Sequence, residues 1–261
     1  MQRSLYDQLV PYYEVIEGRD WQREVRLIAS ILRDYQLSTV VDLGCGSGYH
    51  VRELSRLGLN AIGIDISRQN IQFARRMAKR EMVHARFIVG SYYVYRPHEV
   101  LDAALLLNWS IPTNTADILR FLSNAKLILR NNGLLILDYE RTSDIVWEHV
   151  GKPMMNSWSL KDVIIVRISV GQIFSNVLGS RDVYVLYPKN TKLTVPDERS
   201  RYQAPRHGSV ARIFVDRSYV RFFRVSEIRR LAVKAGFRMV QNYMLPRDRY
   251  KRNYAVLQRV S

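Results

Sequence analysis

The chain has 261 residues, of which 47% are hydrophobic and 25% charged. This is the composition of a globular protein rather than a disordered chain. No run reaches the roughly 20 apolar residues needed to cross a bilayer, and the N-terminus lacks the basic-then-apolar layout of a signal peptide, so a cytoplasmic location is expected. One cysteine, Cys45, and five scattered histidines provide neither a disulfide nor metal-ligand spacing; we expect no metal site.

The formal net charge of +16 is large for this length. Such a charge attracts phosphates, nucleic acid and anionic surfaces through a long-range field. Much of the excess is arginine spread along helical stretches such as 68–81, and no basic tail or RNA-binding signature accompanies it. The charge therefore leaves nucleic acid open as a partner without naming it.

Alternating strands and helices fill the first half of the chain. Residues 1–36 are predicted to be largely helical, and the next segment is a strand at 39–43, a glycine-rich loop at 44–48 and a helix at 49–57. The remaining predicted elements are strands at 60–64, 85–89, 101–107 and 134–138, a helix capped by Ser67 and a helix at 116–129. Apolar strands separated by helices predict a doubly wound, mostly parallel sheet covered on both faces.

The pattern changes after residue 144. The runs 162–170, 181–186 and 210–223 are β-rich, with turn residues between them and no long helix, so 145–222 is predicted to be an inserted antiparallel layer. A helix at 226–235 and strands at 237–243 and 253–259 follow. We therefore expect three parts: N-terminal helices and core at 1–144, an insertion at 145–222, and a C-terminal completion of the core sheet at 223–261.

The segment 42–48 lies where a ligand-binding crevice is expected, at the carboxyl end of the first strand. Its glycines let the backbone approach a ligand and leave amide groups at the following helix pointing outward. Asp65, at the end of the second strand, can accept both hydroxyls of a ribose. A dinucleotide site would prefer G-x-G-x-x-G, whereas this loop has G-x-G-x-G, and Asp42 suits a cationic amino-acid group better than a pyrophosphate. A glycine turn that serves packing alone is the alternative.

With these motifs the chain resembles the class I S-adenosylmethionine-dependent methyltransferases, in the families of small archaeal and bacterial enzymes. The resemblance rests on five segments: LYDQLVPYY at 5–13, VVDLGCGSG at 40–48, IGIDIS at 62–67, NGLLILD at 132–138, and YVRFF at 219–223 with the helix that ends AGF at 235–237. It implies a seven-stranded, mostly parallel sheet with a β-rich substrate lid after the fifth strand.

The resemblance also implies S-adenosylmethionine as cofactor and S-adenosylhomocysteine as product. Asp42 and the loop glycines would surround the methionine portion, Asp65 the ribose and Ile66 the adenine. Ser91 stands where the family often has an acid that meets the adenine amino group. The complete set of expected cofactor-binding residues is Asp42, Gly44, Cys45, Gly46, Gly48, Asp65, Ile66, Ser91, Tyr92, Asn108, Trp109 and Tyr6.

The implied reaction is in-line attack of a nitrogen, oxygen or sulfur on the sulfonium methyl, with a small-molecule acceptor enclosed by the 145–222 lid. The expected catalytic residues are Tyr13, an aromatic wall for the sulfonium, and Glu140, a base at the tip of the fifth strand. Methylation of RNA or protein, a non-catalytic S-adenosylmethionine-binding module and a nicotinamide-dependent oxidoreductase are alternatives. No membrane association is expected, and both a monomer and a homodimer remain open.

Overall fold

The computed structural model describes residues 9–17, 20–108, 110–145, 150–189, 212–245 and 252–260. The chain divides into two compact units. The first comprises Met1–Ile145, Ser175–Val177 and Val220–Ser261, and the second comprises Val146–Phe174 and Leu178–Tyr219.

The described helices all belong to the first unit. After a 3-10 turn at Val10–Tyr12 they are α1 (Tyr13–Ile16), α2 (Trp21–Asp34), α3 (Tyr49–Arg56), α4 (Arg68–Arg80), α5 (Thr115–Ile128) and α6 (Val225–Lys234). The strands are β1 (Thr39–Leu43), β2 (Asn60–Asp65), β3 (Arg86–Val89), β4 (Leu101–Leu106), β5 (Leu129–Arg141), β6 (Met154–Ser159), β7 (Val163–Phe174), β8 (Val177–Pro188), β9 (Arg212–Phe223), β10 (Phe237–Met244) and β11 (Asn253–Arg259).

Seven strands of the first unit form the sheet that the sequence predicts. Their order is β3-β2-β1-β4-β5-β11-β10. The first five are parallel to one another, while β11 is antiparallel to β5 and to β10. The predicted mostly parallel, doubly wound fold is confirmed, and its order reverses between β1 and β4, which opens a crevice at the carboxyl ends of these strands.

Consecutive strand residues contribute to two cores, one on each face of the sheet. In β1, Val41 packs in the core beneath α5 and α6, whereas Val40 packs in the core beneath α2, α3 and α4. In β5, Leu135 and Ile136 divide in the same way. Burial on both faces explains why these strands are continuously apolar rather than alternating.

Side-chain caps fix where two helices of the first unit begin. The Ser67 side chain accepts a hydrogen bond from the amide of Asn70, which confirms the predicted cap of α4. The Asn114 side chain caps α5 in the same manner by accepting from the amide of Asp117. Each cap satisfies one of the backbone donors that a helix start leaves open.

The fifth strand begins at residue 129 rather than at the predicted 134, and it includes residues 131–133. The helix ends at Ile128, and β5 begins at Leu129, whose Cα pairs with Leu101. The register shifts between Leu101 and Ala103, and Asn132 has a φ of 61°. A Cβ at Gly133 would lie 2.9 Å from the carbonyl oxygen of Asp102. The residues that suggest a turn therefore form an irregularity within the strand.

The second unit consists of strands. Within it β6 pairs antiparallel with β7, in a register that joins Met154 to Ser169 and Ser159 to Ile164. The hydrogen-bonded neighbours run in the order β6, β7, β8, β9. Side chains alternate in exposure along β7 and β9, as expected for an antiparallel sheet with one face in solvent.

Candidate functional site

A cavity of about 340 Å³ opens at the carboxyl ends of β1 to β4 in the first unit. This volume is in the range of small-molecule sites. The lining residues come from the N-terminal segment, the glycine loop and the ends of the neighbouring strands. They are Tyr13, Glu17, Trp21, Gly44, Cys45, Gly46, Ser47, Tyr49, His50, Asp65, Ile66, Asn70, Gly90, Ser91, Tyr92, Tyr93, Asn108 and Ser110.

The backbone amides of the glycine loop are used within the protein. The amides of Gly44 and Cys45 both donate to the carbonyl oxygen of Ile64, and that of Gly48 donates to the carbonyl oxygen of Cys45. The Gly46 amide donates to Asp65 Oδ2 at 2.9 Å. These bonds tie the loop to the end of β2. Each of these four amides therefore already has an acceptor within the protein.

The three loop glycines have different roles although all have positive φ. A Cβ on Gly46 (φ +51°) would meet no atom within 4 Å, so a side chain there would enter the cavity. A Cβ on Gly44 would lie 2.9 Å from Ser110 Oγ, where the loop approaches the segment after β4. A Cβ on Gly48 would overlap Phe87 and Ala74 at 2.6 and 2.7 Å. Gly48 does not line the cavity; it packs the start of α3 against the protein.

Asp65 and Ile66 lie where the sequence predicts ribose and adenine contacts. Asp65 is half-buried, and its Oδ1 accepts from the amide of Ser67 at 2.8 Å. Ile66 is 78% exposed although it lines the cavity. An apolar side chain so exposed beside a carboxylate is suited to lie against a flat, partly polar ligand.

Asp42 lies behind the loop rather than in the cavity wall. Its side chain is buried, it is not among the lining residues, and its Oδ1 has no hydrogen-bond partner in the described structure. Burial raises the pKa of Asp42 to about 6, against a lowering by His50, whose Nδ1 is 3.9 Å from Asp42 Oδ2. This position does not support the expected direct contact of Asp42 with a ligand.

His50 belongs to a buried polar cluster beneath the cavity. Its Nε2 is 3.1 Å from Glu24 Oε2, and Glu24 Oε1 accepts from the hydroxyl of Tyr254 at 2.8 Å. The ring of Trp21 lies 5.5 Å from the imidazole, centroid to centroid. This cluster fixes the orientation of His50 in the cavity wall.

The N-terminal segment is attached to the glycine loop through Glu14. Glu14 Oε1 accepts from Ser47 Oγ at 2.9 Å and from Arg52 Nη2 at 3.1 Å. The buried Arg52 also donates to the carbonyl oxygen of Ser47 at 2.7 Å. Because Glu14 lies between Tyr13 and Glu17 along the chain, these bonds hold both side chains at the cavity.

The opposite wall comes from the segments after β3 and β4. The Tyr92 hydroxyl donates to the carbonyl oxygen of Ser110 at 3.3 Å, and Ser91 Oγ accepts from the amide of Tyr93. Asn108 has a φ of 60°, and its amide donates to Asp138 Oδ2. Burial raises the pKa values of the Tyr92 hydroxyl and the Cys45 thiol, so both stay protonated at neutral pH.

Two buried amide oxygens of the cavity lining lack a partner in the described structure, Asn70 Oδ1 and Asn108 Oδ1. Buried polar atoms are nearly always hydrogen-bonded in native proteins. The two oxygens are therefore positioned to accept hydrogen bonds from a bound molecule.

Glu140 is not part of the cavity. It lies in β5, where its Cα pairs with Phe222, and it is buried. The fully buried Arg252 donates to Asp138 Oδ2 at 2.8 Å, and the nearby carboxylates Asp138 and Glu140 raise its pKa against the effect of its burial. The location indicates that Glu140 balances this charge, and it does not support the expected role as a base.

The structure brings together most, not all, of the residues that the sequence predicts. Gly44, Cys45, Gly46, Asp65, Ile66, Ser91, Tyr92, Asn108 and Tyr13 line the cavity, whereas Asp42, Gly48 and Glu140 do not. Tyr6 and Trp109 lie outside the described residues. Sequence reasoning missed Glu17, Trp21, Ser47, Tyr49, His50, Asn70, Gly90, Tyr93 and Ser110. Asn70 could have been predicted from the sequence, because it is the third residue of a helix that starts at the edge of the sheet where the cavity lies.

The charge of the cavity is opposite to that of the chain. Its lining contains two carboxylates, Glu17 and Asp65, and neither Lys nor Arg among the described residues. This is notable in a chain of net charge +16. A site of this kind favours a cationic or neutral ligand over a phosphate.

Among the described residues, no group of His, Cys, Asp and Glu is arranged to hold a metal ion. No helix in the described part of the chain is long and apolar enough to cross a membrane.

Residues 40–133 match the model of a family described as "Methyltransferase domain". A ubiquinone biosynthesis O-methyltransferase of Pelagibacter ubique is 26% identical over 117 residues, which cover 41% of this chain and 48% of that protein. The chain thus matches about half the length of this relative.

Two solved structures share the fold. An S-adenosylmethionine-dependent methyltransferase from Clostridium acetobutylicum superposes with a TM-score of 0.75 at 11% identity, covering 96% of both chains. An amino pentose methyltransferase from Micromonospora echinaspora, involved in calicheamicin biosynthesis and solved with S-adenosylmethionine bound, gives a TM-score of 0.72 at 15% identity and covers 100% of both chains. Residues 40–133 thus match a methyltransferase-domain family, and the chain shares the fold of S-adenosylmethionine-dependent methyltransferases.

Proposed function

We propose that the chain binds S-adenosylmethionine in the cavity and transfers its methyl group to a nitrogen, oxygen or sulfur of a small molecule. The observation that carries the proposal is the acidic cavity at the strand-order reversal of a strongly basic chain. S-adenosylmethionine carries an ammonium and a sulfonium group, which such a cavity attracts. A dinucleotide brings a pyrophosphate, which two carboxylates repel.

The described residues fit this cofactor. Gly46 leaves open space toward the cavity, as a ligand that passes close to the backbone requires. Asp65 ends β2 with its carboxylate at the cavity, where ribose hydroxyls can donate to it. Asn70 Oδ1 and Asn108 Oδ1 are buried acceptors without a protein donor. The ammonium and the adenine amino group are donors of the matching kind.

When bound, the cofactor supplies an activated methyl group, so the protein has to align the acceptor and exclude water. The Glu14 contacts with Ser47 and Arg52 hold Tyr13 and Glu17 at the cavity, where they would shield it from solvent. The Tyr13 ring would face the sulfonium as an aromatic wall. Glu17, whose Oε2 lies 3.8 Å from Arg252 Nη2, would offer an acceptor to a nearby amine.

The acidic lining also favours a small acceptor over RNA. The names of the relatives describe methyl transfer to small molecules, in ubiquinone biosynthesis and on an amino pentose. Phosphates at the mouth would meet Glu17 and Asp65. We infer a neutral or amine-bearing acceptor.

Calorimetry with S-adenosylhomocysteine and NAD tests the cofactor. Binding of the first at micromolar concentration with no heat from NAD supports the proposal, and the reverse result rejects it. Methyl transfer is then measured with radiolabelled cofactor against panels of amines, phenols, sugars, RNA and peptides. Cofactor binding without any product across all panels would instead support a non-catalytic binding module, and product from RNA or peptides alone would reject the small acceptor.

A further inference from the structure

A second concave site lies at the other end of the strands that carry the cavity. It is a groove of about 490 Å³ between the second half of α4 and the starts of β2 and β3. Its lining residues are Asn60, Ala61, Arg75, Ala78, Lys79, Val83, His84, Ala85 and Arg86. Four of these nine side chains are basic, and none is acidic.

The basic residues of this groove are part of a larger concentration of charge. Six Lys or Arg residues stand between positions 68 and 86, against one carboxylate. They are Arg68, Arg75, Arg76, Lys79, Arg80 and Arg86, and all six are exposed. The carboxylate, Glu81, is engaged on its other side by Arg52 and Arg56, at 2.9 and 2.6 Å. Residues 68–86 thus carry a net charge of +5 out of the +16 of the chain.

The basic side chains of the groove are available to bind an anion, and one of them is held in place by a hydrogen bond. Within the described part of the chain, Arg75, Lys79 and Arg86 form no ion pair. Arg75 Nη2 donates to the carbonyl oxygen of Phe87 at 2.6 Å, which fixes the guanidinium against edge strand β3 and leaves its other N–H groups free to bind a ligand. A guanidinium held in this way is suited to bidentate contact with a phosphate.

We propose that this groove, with the exposed face of α4, binds the sugar-phosphate backbone of a nucleic acid. From Arg68 to Arg80 the helix rises about 18 Å, which matches roughly five nucleotide steps of a strand. Of the apolar residues of α4, Ile71, Ala74 and Ala78 are buried in the core, and only Phe73 and Met77 are partly exposed. The helix therefore offers little apolar surface to a bilayer, and a membrane surface fits it less well.

The location separates this partner from the methyl acceptor. The groove includes Asn60, the first residue of β2, and the cavity includes Asp65, its last residue. The two ends of the strand are about 16 Å apart. Nucleic acid held in the groove by Arg75, Lys79 and Arg86 thus docks the protein without placing a base at the sulfonium. The inference does not depend on the proposed methyl transfer.

The test is fluorescence anisotropy of a labelled single-stranded RNA of about 20 nucleotides with the full chain at several salt concentrations. The groove variant is Arg75→Glu with Lys79→Glu. The matched control, Arg229→Glu with Arg230→Glu on α6, makes the same change in net charge at two other exposed arginines. A second groove variant, Lys79→Glu with Arg86→Glu, keeps the bond from Arg75 to Phe87.

We expect both groove variants to weaken RNA binding at least 10-fold and to reduce the slope of log K against log salt by about 2, the contribution of two phosphate contacts. The control should change affinity less than 3-fold, and S-adenosylhomocysteine binding should be unchanged in all variants. The proposal is overturned if the unmodified chain does not bind RNA, if control and groove variants lose affinity equally, or if vesicles of anionic phospholipid or free ADP bind as tightly as RNA.

Discussion

The carboxylate of Asp65 accepts a hydrogen bond from the amide of Gly46, with 2.9 Å between Oδ2 and the nitrogen. This bond joins the end of β2 to the loop that follows β1, across 19 residues of sequence. The residue expected to hold a ribose therefore also shapes the loop expected to hold the methionine portion. Cofactor binding and loop geometry are coupled through one side chain.

Asp65→Asn is expected to weaken S-adenosylhomocysteine binding by about 10- to 150-fold, or roughly 1.5–3 kcal/mol. The charged acceptor is lost, and the NH2 group of the new asparagine can be placed against a backbone N–H, which is also a donor. Calorimetry measures the change, and circular dichroism checks that the variant is folded. An unchanged dissociation constant would remove Asp65 from the site.

Gly46→Val is expected to abolish cofactor binding, since its side chain would enter the cavity. Gly58→Val is the matched control, because Gly58 also has positive φ, +87° against +51°, and open space around its Cβ, but does not line the cavity. Both variants should lose about 1 kcal/mol or more of unfolding free energy through backbone strain. Equal affinity of the two variants for S-adenosylhomocysteine would contradict the role of Gly46.

Gly48→Ala tests a packing role rather than a binding role. The new Cβ would overlap Phe87 and Ala74 at a position with φ of +77°. We expect a loss of about 2–4 kcal/mol in unfolding free energy from overlap and strain together, measured by urea denaturation. A variant of unchanged stability that no longer binds the cofactor would instead place Gly48 in the site.

Asp42 makes the stability of the protein depend on pH. Burial raises its pKa from 3.8 to about 6, so the unfolded chain releases this proton at lower pH than the folded protein. The contribution of protonated Asp42 to the free energy of unfolding is complete below about pH 4, and it is lost as the pH rises through 6.

At pH 8 the free energy of unfolding of Asp42→Asn should therefore exceed that of the unmodified chain by up to roughly 3 kcal/mol. This difference should shrink toward pH 4. Paired urea titrations at both pH values measure it. A difference that is constant with pH would show that Asp42 does not titrate in this way.

Tyr13→Phe and Glu140→Gln separate the two residues expected to be catalytic. Tyr13 lines the cavity and Glu140 does not, so Tyr13→Phe, which removes a hydroxyl from the cavity wall, is expected to change kcat or KM by 2-fold or more. Glu140→Gln is expected to lower the melting temperature, because the charge of the buried Arg252 loses one of its balancing carboxylates. It is expected to leave kcat within 2-fold. A selective loss of kcat in Glu140→Gln would restore it as a base.

Local sequence identified the elements and the centre of the site. Apolar runs and glycines within a few residues of one another predicted β1, the loop after it and β2, and Asp65 followed from its place at a strand end. Ser67 was found as a cap because capping depends only on neighbours in the chain. The register of β5 was not predicted, because pairing of Leu129 with Leu101 involves residues far apart in sequence.

The amino-acid sequence by itself determined the doubly wound sheet and the position of the glycine loop, since both follow from periodicity and local turn chemistry. Only the tertiary structure decided that Glu17 and Trp21 join the cavity, that Asp42 and Glu140 are not in its lining, and that Arg75, Lys79 and Arg86 meet in one groove. The physical reason is that charge and burial depend on which segments meet in space, and a strand reverses the direction of its side chain at every residue.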